Sequence, residues 1–298
     1  ADVEDQSAVV KEGSKSIQLQ GYSSAGWTND SAVFFIPKTN SGYDGSRVII
    51  MDENGKTTLS EEISSNWDNS QFATVTDFNN DGLDDIFMPS TSTYDGSFAA
   101  KQLNDLSTHW ELAGDYDDDI GVIRAYDLNS DGFDDAVYVN SNKINAIDIQ
   151  NQLILASYKF DAYIWDFALT QVNGEHLMAV SQNYKLMLLK KGASAFSDLD
   201  VTDKNCSRLE FANVDSDEQM ELVCLIAQDH WSTAGTELVI FDIVENKLVE
   251  LNKATLSFKA LDFAVDTSTE MNQKLFMTSQ EGDSSSSEEE SDSSSSSE

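Results

Sequence analysis

The stretch that decides the fold is Asp127-Leu-Asn-Ser-Asp-Gly-Phe-Asp-Asp135, followed at once by Ala136-Val137-Tyr138-Val139. A polar turn rich in Asp and Asn runs straight into a short apolar segment of strand-forming residues. The same arrangement occurs 50 positions earlier, as Asp77-Phe-Asn-Asn-Asp-Gly-Leu-Asp-Asp85 and then Ile86-Phe87-Met88. A degraded copy follows at Asn213-Val-Asp-Ser-Asp-Glu-Gln-Met-Glu221, before Leu222-Val223-Cys224-Leu225. Weaker echoes lie at Trp27-Thr-Asn-Asp30, at Gln171-Val-Asn-Gly-Glu-His176 and at Asp266 to Asn272. The turns thus begin near 27, 77, 127, 171, 213 and 266, a spacing of 42 to 53 residues.

Between the turns the chain reads as short strands: Arg47–Met51, Lys143–Ile149, Leu153–Tyr158, Lys185–Leu189, Leu238–Asp242 and Lys247–Leu251. They alternate in polarity and are bounded by Asn, Gly, Ser or Asp. No amphipathic helical pattern competes with them. About four strands in every ~45 residues is the period of a propeller blade. The expectation is an all-β chain, a β-propeller of four-stranded blades, six in number, with a seven-bladed ring as the alternative. The segment Ser7–Val10 is placed to pair with the last repeat and close the ring, which removes exposed sheet edges. The propeller is expected to span residues 1–280. Residues 281–298 carry only Ser, Glu, Asp and Gly, contain nothing apolar to bury, and read as a disordered Ser/acidic tail.

In the two full copies the form is D-x-N-x-D-G-x-x-D. Side chains at positions 1, 3 and 5 of a tight loop converge, Gly at position 6 allows the sharp turn, position 7 offers a carbonyl, and position 9 closes the shell. Hard oxygen donors suit Ca²⁺, and the lack of His or Cys argues against zinc. The candidate ligands are Asp77, Asn79, Asp81, Leu83 (carbonyl) and Asp85, then Asp127, Asn129, Asp131, Phe133 (carbonyl) and Asp135. The third loop offers Asn213, Asp215, Asp217 and Glu221, with Glu218 where Gly is required. Runs of Asp, Asn and Gly are also plain turn formers. Two full matches at equivalent places of a repeat favour ligation. Asp115, Asp117 and Asp119 alternate too, but Ile120-Gly121 follows in place of the turn, so that run reads as a solvated loop. An EF-hand or dockerin would need flanking helices, and strand-like runs stand there instead.

These loops resemble the calcium sites of FG-GAP/VCBS propellers, the family of integrin α-subunit heads and many bacterial surface proteins. The resemblance is specific at 77–88 and 127–139 and extends as a rhythm from 27 to about 278. The Phe-Gly and Gly-Ala-Pro signatures that name the family are absent. The resemblance implies a secreted or cell-surface calcium-binding module that engages a protein or glycan ligand, as in adhesion.

Charge narrows the partners. The 298 residues carry 53 Asp+Glu against 18 Lys+Arg, a formal net charge of −35. Nucleic acid is excluded as a partner because phosphate binding needs clustered cations. An anionic membrane surface is disfavoured for the same reason, and no apolar run is long enough for a membrane-spanning helix. The opening Ala1-Asp2-Val3 fits a mature chain whose leader has been removed, and a trimmed chain equally. Cys206 and Cys224 flank a turn near Asp215 and could form a cross-strand disulfide or remain two buried thiols.

Catalysis has little support. His109, His176 and His230 form no ligand pair and read as ordinary surface or half-buried residues. Arg47, Arg124 and Arg208 lie in different repeats; a sialidase-like site would require them to converge. No G-x-S-x-G elbow or phosphate-binding glycine loop is present. The expectation is a non-enzyme. The alternatives are a propeller-fold lyase or glycosidase, and a structural subunit of a surface assembly or filament. Trp27, Trp67, Trp110, Trp165 and Trp231 occur about once per repeat and are expected mainly in blade cores. The tail resembles the spacers ahead of C-terminal signals in rhombosortase substrates, and Ser284–Glu290 resembles an acidophilic kinase target; a solvated tail is the simpler reading.

Overall fold

The computed structural model describes residues 10–12, 15–17, 24–27, 31–37, 46–52, 57–64, 74–77, 81–83, 85–89, 98–103, 105, 107–112, 120–151, 153–192, 195–214, 219–227, 234–265 and 275–280. The tail, Ser7–Val9, Trp67, Trp231, His230, Asp115, Asp117 and Asp119 fall outside them, as do the side chains of Trp27, His109 and Arg47.

All described regular structure is β. A ribbon of β1 (Val10–Glu12) and β2 (Lys15–Ile17) comes first. The first sheet holds β3 (Ser24–Trp27), β4 (Ser31–Pro37), β5 (Ser46–Asp52) and β6 (Thr57–Ser64). The second holds β7 (Thr74–Thr76), β8 (Asp85–Pro89), β9 (Phe98–Gln102) and β10 (Thr108–Leu112). The third holds β11 (Ile120–Tyr126), β12 (Asp135–Asn140), β13 (Lys143–Asp148) and β14 (Leu153–Lys159). The fourth holds β15 (Ile164–Val172), β16 (Glu175–Gln182), β17 (Lys185–Lys191) and β18 (Phe196–Thr202). The fifth holds β19 (Cys206–Ala212), β20 (Glu221–Ala227), β21 (Gly235–Val244), β22 (Lys247–Val265) and β23 (Leu275–Gln280). Within every sheet each strand pairs antiparallel with the next in sequence.

Four four-stranded blades are therefore described, where the repeat spacing predicts six. The cause is β22. Its residues 247–255 pair with β21 and its residues 259–265 pair with β23, so one continuous strand of 19 residues joins what the sequence reads as two units into a five-stranded sheet. The predicted strand Lys247–Leu251 is only its opening. Among the described residues β1 pairs with β2, rather than with the last repeat.

Most of the cores lie between sheets; one, with Val223, Leu238, Ile240, Phe263 and Met277, is built entirely from the fifth sheet. One apolar cluster joins the third and fourth sheets through Val137, Val139 and Ile144 against Phe167, Met178 and Val180. A second joins the fourth and fifth through Leu186 and Leu188 against Leu209, Phe211 and Phe241. Trp110 packs beside Ala100, Ile123 and Ala136 between the second and third sheets. Val33, Val48 and Ile86 join the first and second. A middle strand is consequently apolar on both faces, as in β16, whereas the outer strand β14 alternates and leaves Leu153 and Ile154 exposed. Burying one Phe or Leu in these seams contributes roughly 1.5–3 kcal/mol.

The first strands meet in turn: β3 with β7, β7 with β11, β11 with β15, β15 with β19, β19 with β22, and β22 again with β3. That brings the last sheet against the first. Charged side chains from these inner strands gather at the centre. Arg124 Nη2 donates to Asp166 Oδ1 at 2.9 Å, and the other carboxylate oxygen of Asp166 accepts from the Leu209 N–H at 2.8 Å. Arg208 pairs with Asp262 at 3.2 Å. The chain Arg124–Asp166–Leu209 thus runs across three sheets.

Cys206 and Cys224 are joined by a disulfide inside the seam between the fourth and fifth sheets. They are not opposite one another: the ladder pairs Cys206 with Ile226 and Cys224 with Leu209, so the bridge runs diagonally.

Asp166 is fully buried. Removing a buried partner strands the other charge and costs about 3–5 kcal/mol. Asp166→Ala should lose stability of that order in urea unfolding. Asp198→Ala, which deletes an exposed bond to Tyr158, should change it by less than about 1 kcal/mol.

Candidate functional site

The six turns read from the sequence are all first hairpins of their sheets or, for 266–274, the connection from β22 to β23. At the described residues, those at 77–85 and 127–135 share one set of hydrogen bonds. Asp127 Oδ1 accepts from the Asp131 N–H at 3.1 Å and Oδ2 from the Gly132 N–H at 2.9 Å. Asp77 does the same for the Asp81 and Gly82 N–H groups, at 3.0 and 2.8 Å. Position 5 then accepts from position 7: Leu83 N–H to Asp81 Oδ1 at 2.9 Å, Phe133 N–H to Asp131 Oδ1 at 3.0 Å. Gly82 and Gly132 have φ of 85° and 92°, a left-handed conformation that glycine adopts without steric cost. Position 7 is exposed in both loops, Leu83 at 45% and Phe133 at 37%.

Position 9 behaves differently. Asp85, Asp135 and Glu221 are buried, at 0%, 2% and 1% exposure. Asp135 Oδ2 accepts from the Leu128 and Asn129 N–H groups at 2.9 and 3.2 Å. Glu221 Oε2 accepts from the Val214 N–H at 2.9 Å, the equivalent amide of the third loop. Burial pushes the Asp135 carboxyl up to about 7.

The structure therefore brings Asp127, Asn129 and Asp131 together, since Asn129 Nδ2 also donates to Asp131 Oδ2 at 3.0 Å. It places Asp135 beneath them as a clamp on the loop backbone. Asp77 and Asp81 repeat the arrangement, with Gln102 Nε2 donating to Asp81 Oδ2 at 3.4 Å. Asn79, Asp215 and Asp217 lie outside the described residues. Among the described residues no three His, Cys, Asp or Glu side chains gather closely enough to form a metal cage unaided. Each loop's shell would need its Asn and carbonyl oxygens as well.

Two features escape the sequence reading. The first is cross-sheet bonding around the loops. Thr76 Oγ1 donates to Asp134 Oδ2 at 2.9 Å, and burial raises the Asp134 carboxyl. Tyr126 Oη and His176 Nδ1 share a 3.0 Å bond, and Ser130 Oγ and His176 Nε2 share another of 3.0 Å. Burial and then Lys191 hold His176 below its ordinary value. The only sequence signal is that a hydroxyl residue precedes position 1 in both loops, Thr76 and Tyr126.

The second is the charged centre. Arg124 and Arg208 do converge there, but with carboxylates rather than toward an open cleft. Glu210 faces Arg124, Asp166 and Asp262, and burial lifts it to about 7. Asp262 is lifted to about 6, again by burial.

No family model matches the chain, and no curated protein matches it by sequence. Similarity appears at the level of structure. The WD40 domain from Toxoplasma gondii coronin superposes with a TM-score of 0.50 at 10% identity, covering 89% of this chain and 77% of that one. The fold is a β-propeller. A chain of the mitotic checkpoint complex superposes with a TM-score of 0.49 at 9% identity, covering 89% and 87%. BBS1N in complex with ARL6DN does so with a TM-score of 0.48 at 9% identity, covering 83% and 71%.

Glu210 and Asp262 have folded-state values of about 7 and about 6, above those of ordinary carboxyls at 4.5 and 3.8. The native state holds protons there that the unfolded chain has released, so stability falls as pH rises through that window. Melting temperatures measured in EDTA should decline from pH 5 to pH 8, and Glu210→Gln should flatten the decline. A variant that keeps the parent's slope would show that Glu210 is not its source.

Proposed function

We propose that this propeller is a secreted or cell-surface calcium-binding module, of FG-GAP/VCBS type, that binds a protein or glycan partner in adhesion or a related contact role and does no chemistry of its own. The observation that carries the reading is the repetition of one hydrogen-bond pattern, in a motif with oxygen donors only, at two equivalent hairpins. Asp77, Asp81 and Asp85 with Asn79 and the Leu83 carbonyl would hold one ion. Asp127, Asp131 and Asp135 with Asn129 and the Phe133 carbonyl would hold the other. An all-oxygen set of carboxylates, amide and carbonyl fits Ca²⁺. The ion would supply fixed positive charge that neutralises crowded carboxylates and stiffens the hairpins.

The binding role draws on the same loops. Each presents an exposed apolar side chain, Leu83 or Phe133, beside its acidic residues. The likeness to a WD40 domain supports the propeller frame and, because a fold hosts many functions, no more than a general disposition toward protein partners. The central arginines do not favour the enzyme alternative, since each already holds a carboxylate. We also propose that the end of β22 with β23 acts as a sixth blade, because it pairs away from most of β21 and lies against β3.

Binding confined to the native state stabilises by RT ln(1+[L]/Kd), about 2.7 kcal/mol at one hundred times Kd. The parent should therefore melt higher in Ca²⁺ than in EDTA, while the double variant Asp81→Ala, Asp131→Ala should melt alike in both. Identical parent melts with and without Ca²⁺ would remove the calcium reading.

A further inference from the structure

The 127–135 loop is held by a residue outside its motif. Ser130, at position 4, has φ of 61°. A residue other than glycine in that left-handed conformation costs on the order of 1 kcal/mol or more and persists where the surroundings hold it. Here the holder is His176, the second residue of β16 in the neighbouring sheet. Its Nε2 bonds Ser130 Oγ and its Nδ1 bonds Tyr126 Oη, both at 3.0 Å. The ring also stands edge-on to Tyr126, with centroids 5.6 Å apart and planes at 88°. One imidazole thus grips the residue just before the first candidate ligand and the residue midway between the second and third. Serine and tyrosine hydroxyls each donate or accept, so either neutral tautomer satisfies both bonds.

The fourth sheet is shaped for this contact. Its own first hairpin is only Asn173-Gly174, with φ of 52° and 79°, the two-residue turn with both centres left-handed. Because that turn is short, His176 lies level with its neighbour's longer loop. The 77–85 loop has a different support: Thr76 reaches forward to Asp134.

We propose that His176 is a positioning residue for the 127–135 loop, setting its left-handed turn and so the orientation of Asp127, Asn129 and Asp131. Its consequence for cation affinity rests on the calcium reading above; its effect on loop shape does not. Groups that orient ligands from outside the coordination shell typically change metal affinity by about 10–100-fold.

The test uses the full chain and two variants, His176→Leu and His176→Gln. Amide hydrogen exchange is followed by NMR in EDTA. In His176→Leu the Asp131 and Gly132 amides, which the Asp127 carboxylate protects, should exchange about ten-fold faster or more. Those of Asp81 and Gly82 in the other loop should not change. His176→Gln, able to keep one of the two bonds, should fall between. Calorimetric titration with Ca²⁺ should then show one of two sites weakened about ten-fold in His176→Leu. Unchanged exchange at Asp131 and Gly132 overturns the proposal, and so does equal acceleration in both loops, which would report a loosened fold. If exchange responds as expected while the parent takes up no Ca²⁺, the positioning role stands and the calcium reading falls.

Discussion

A sheet of four short strands cannot bury both of its faces by itself, and the rest of this structure follows from that constraint. Each seam is filled by side chains from two neighbours, as Val139 and Met178 do between the third and fourth sheets. Among the described residues the four-stranded sheets own no core, so none of them is stable until the next is in place, and only the five-stranded fifth sheet packs a cluster of its own. The middle strands must then be apolar on both faces. The polar residues of each repeat are displaced to the hairpins and to the outermost strands. The separation of greasy strands from acidic turns, which makes the chain readable, is a consequence of burying sheets face to face.

The same constraint puts charge at the centre. Inner strands approach one another where bulky side chains would crowd, and here they meet through salt bridges and carboxylate-to-amide bonds. Asp166 accepts from Arg124, from its neighbour's amide at Phe167, and from Leu209 across the next seam. A buried ion pair is a weak source of net stability. Its geometry does fix which strand stands beside which, and that is the quantity a ring of similar sheets most needs to specify. Glu210 is the third carboxylate beside two arginines, so the centre has one more acid than base, and burial raises its proton affinity accordingly.

Strand type and the placing of the first hairpins were legible because each is a local pattern. Lys143–Ile149 reads as a strand from its alternation and forms one at Lys143–Asp148. What was not legible depends on residues far apart. Nothing near Lys247 signals that β22 runs on through Val265 and serves two pairings, since Leu248 to Val265 is uniformly suited to strand. Arg124 and Asp166 are 42 positions apart and meet only after two sheets have packed. His176 looked ordinary because its partners, Tyr126 and Ser130, belong to another repeat. The spacing of Cys206 and Cys224 left a disulfide and two buried thiols open, and the diagonal bridge follows from a ladder that sets Leu209, not Cys206, opposite Cys224.

The third loop shows which parts of the motif answer to folding and which to an ion. At 213–221 the Gly of position 6 has become Glu218. Yet position 9 is still an acid, still buried, and still bonded to the amide at position 2, although Glu221 is one methylene longer than Asp135. If position 9 existed only to complete a metal shell, the loop that lost its turn glycine would have no reason to keep a buried carboxylate. A buried carboxylate is costly unless it accepts hydrogen bonds, and this one satisfies a backbone amide that the strand ladder leaves unpaired at the hairpin's base. Position 9 is thus required by the hairpin itself. The turn glycine is the part of the motif that the hairpin can do without, since the third loop keeps oxygen-bearing residues at positions 1, 3, 5 and 9 and has lost that glycine alone among them.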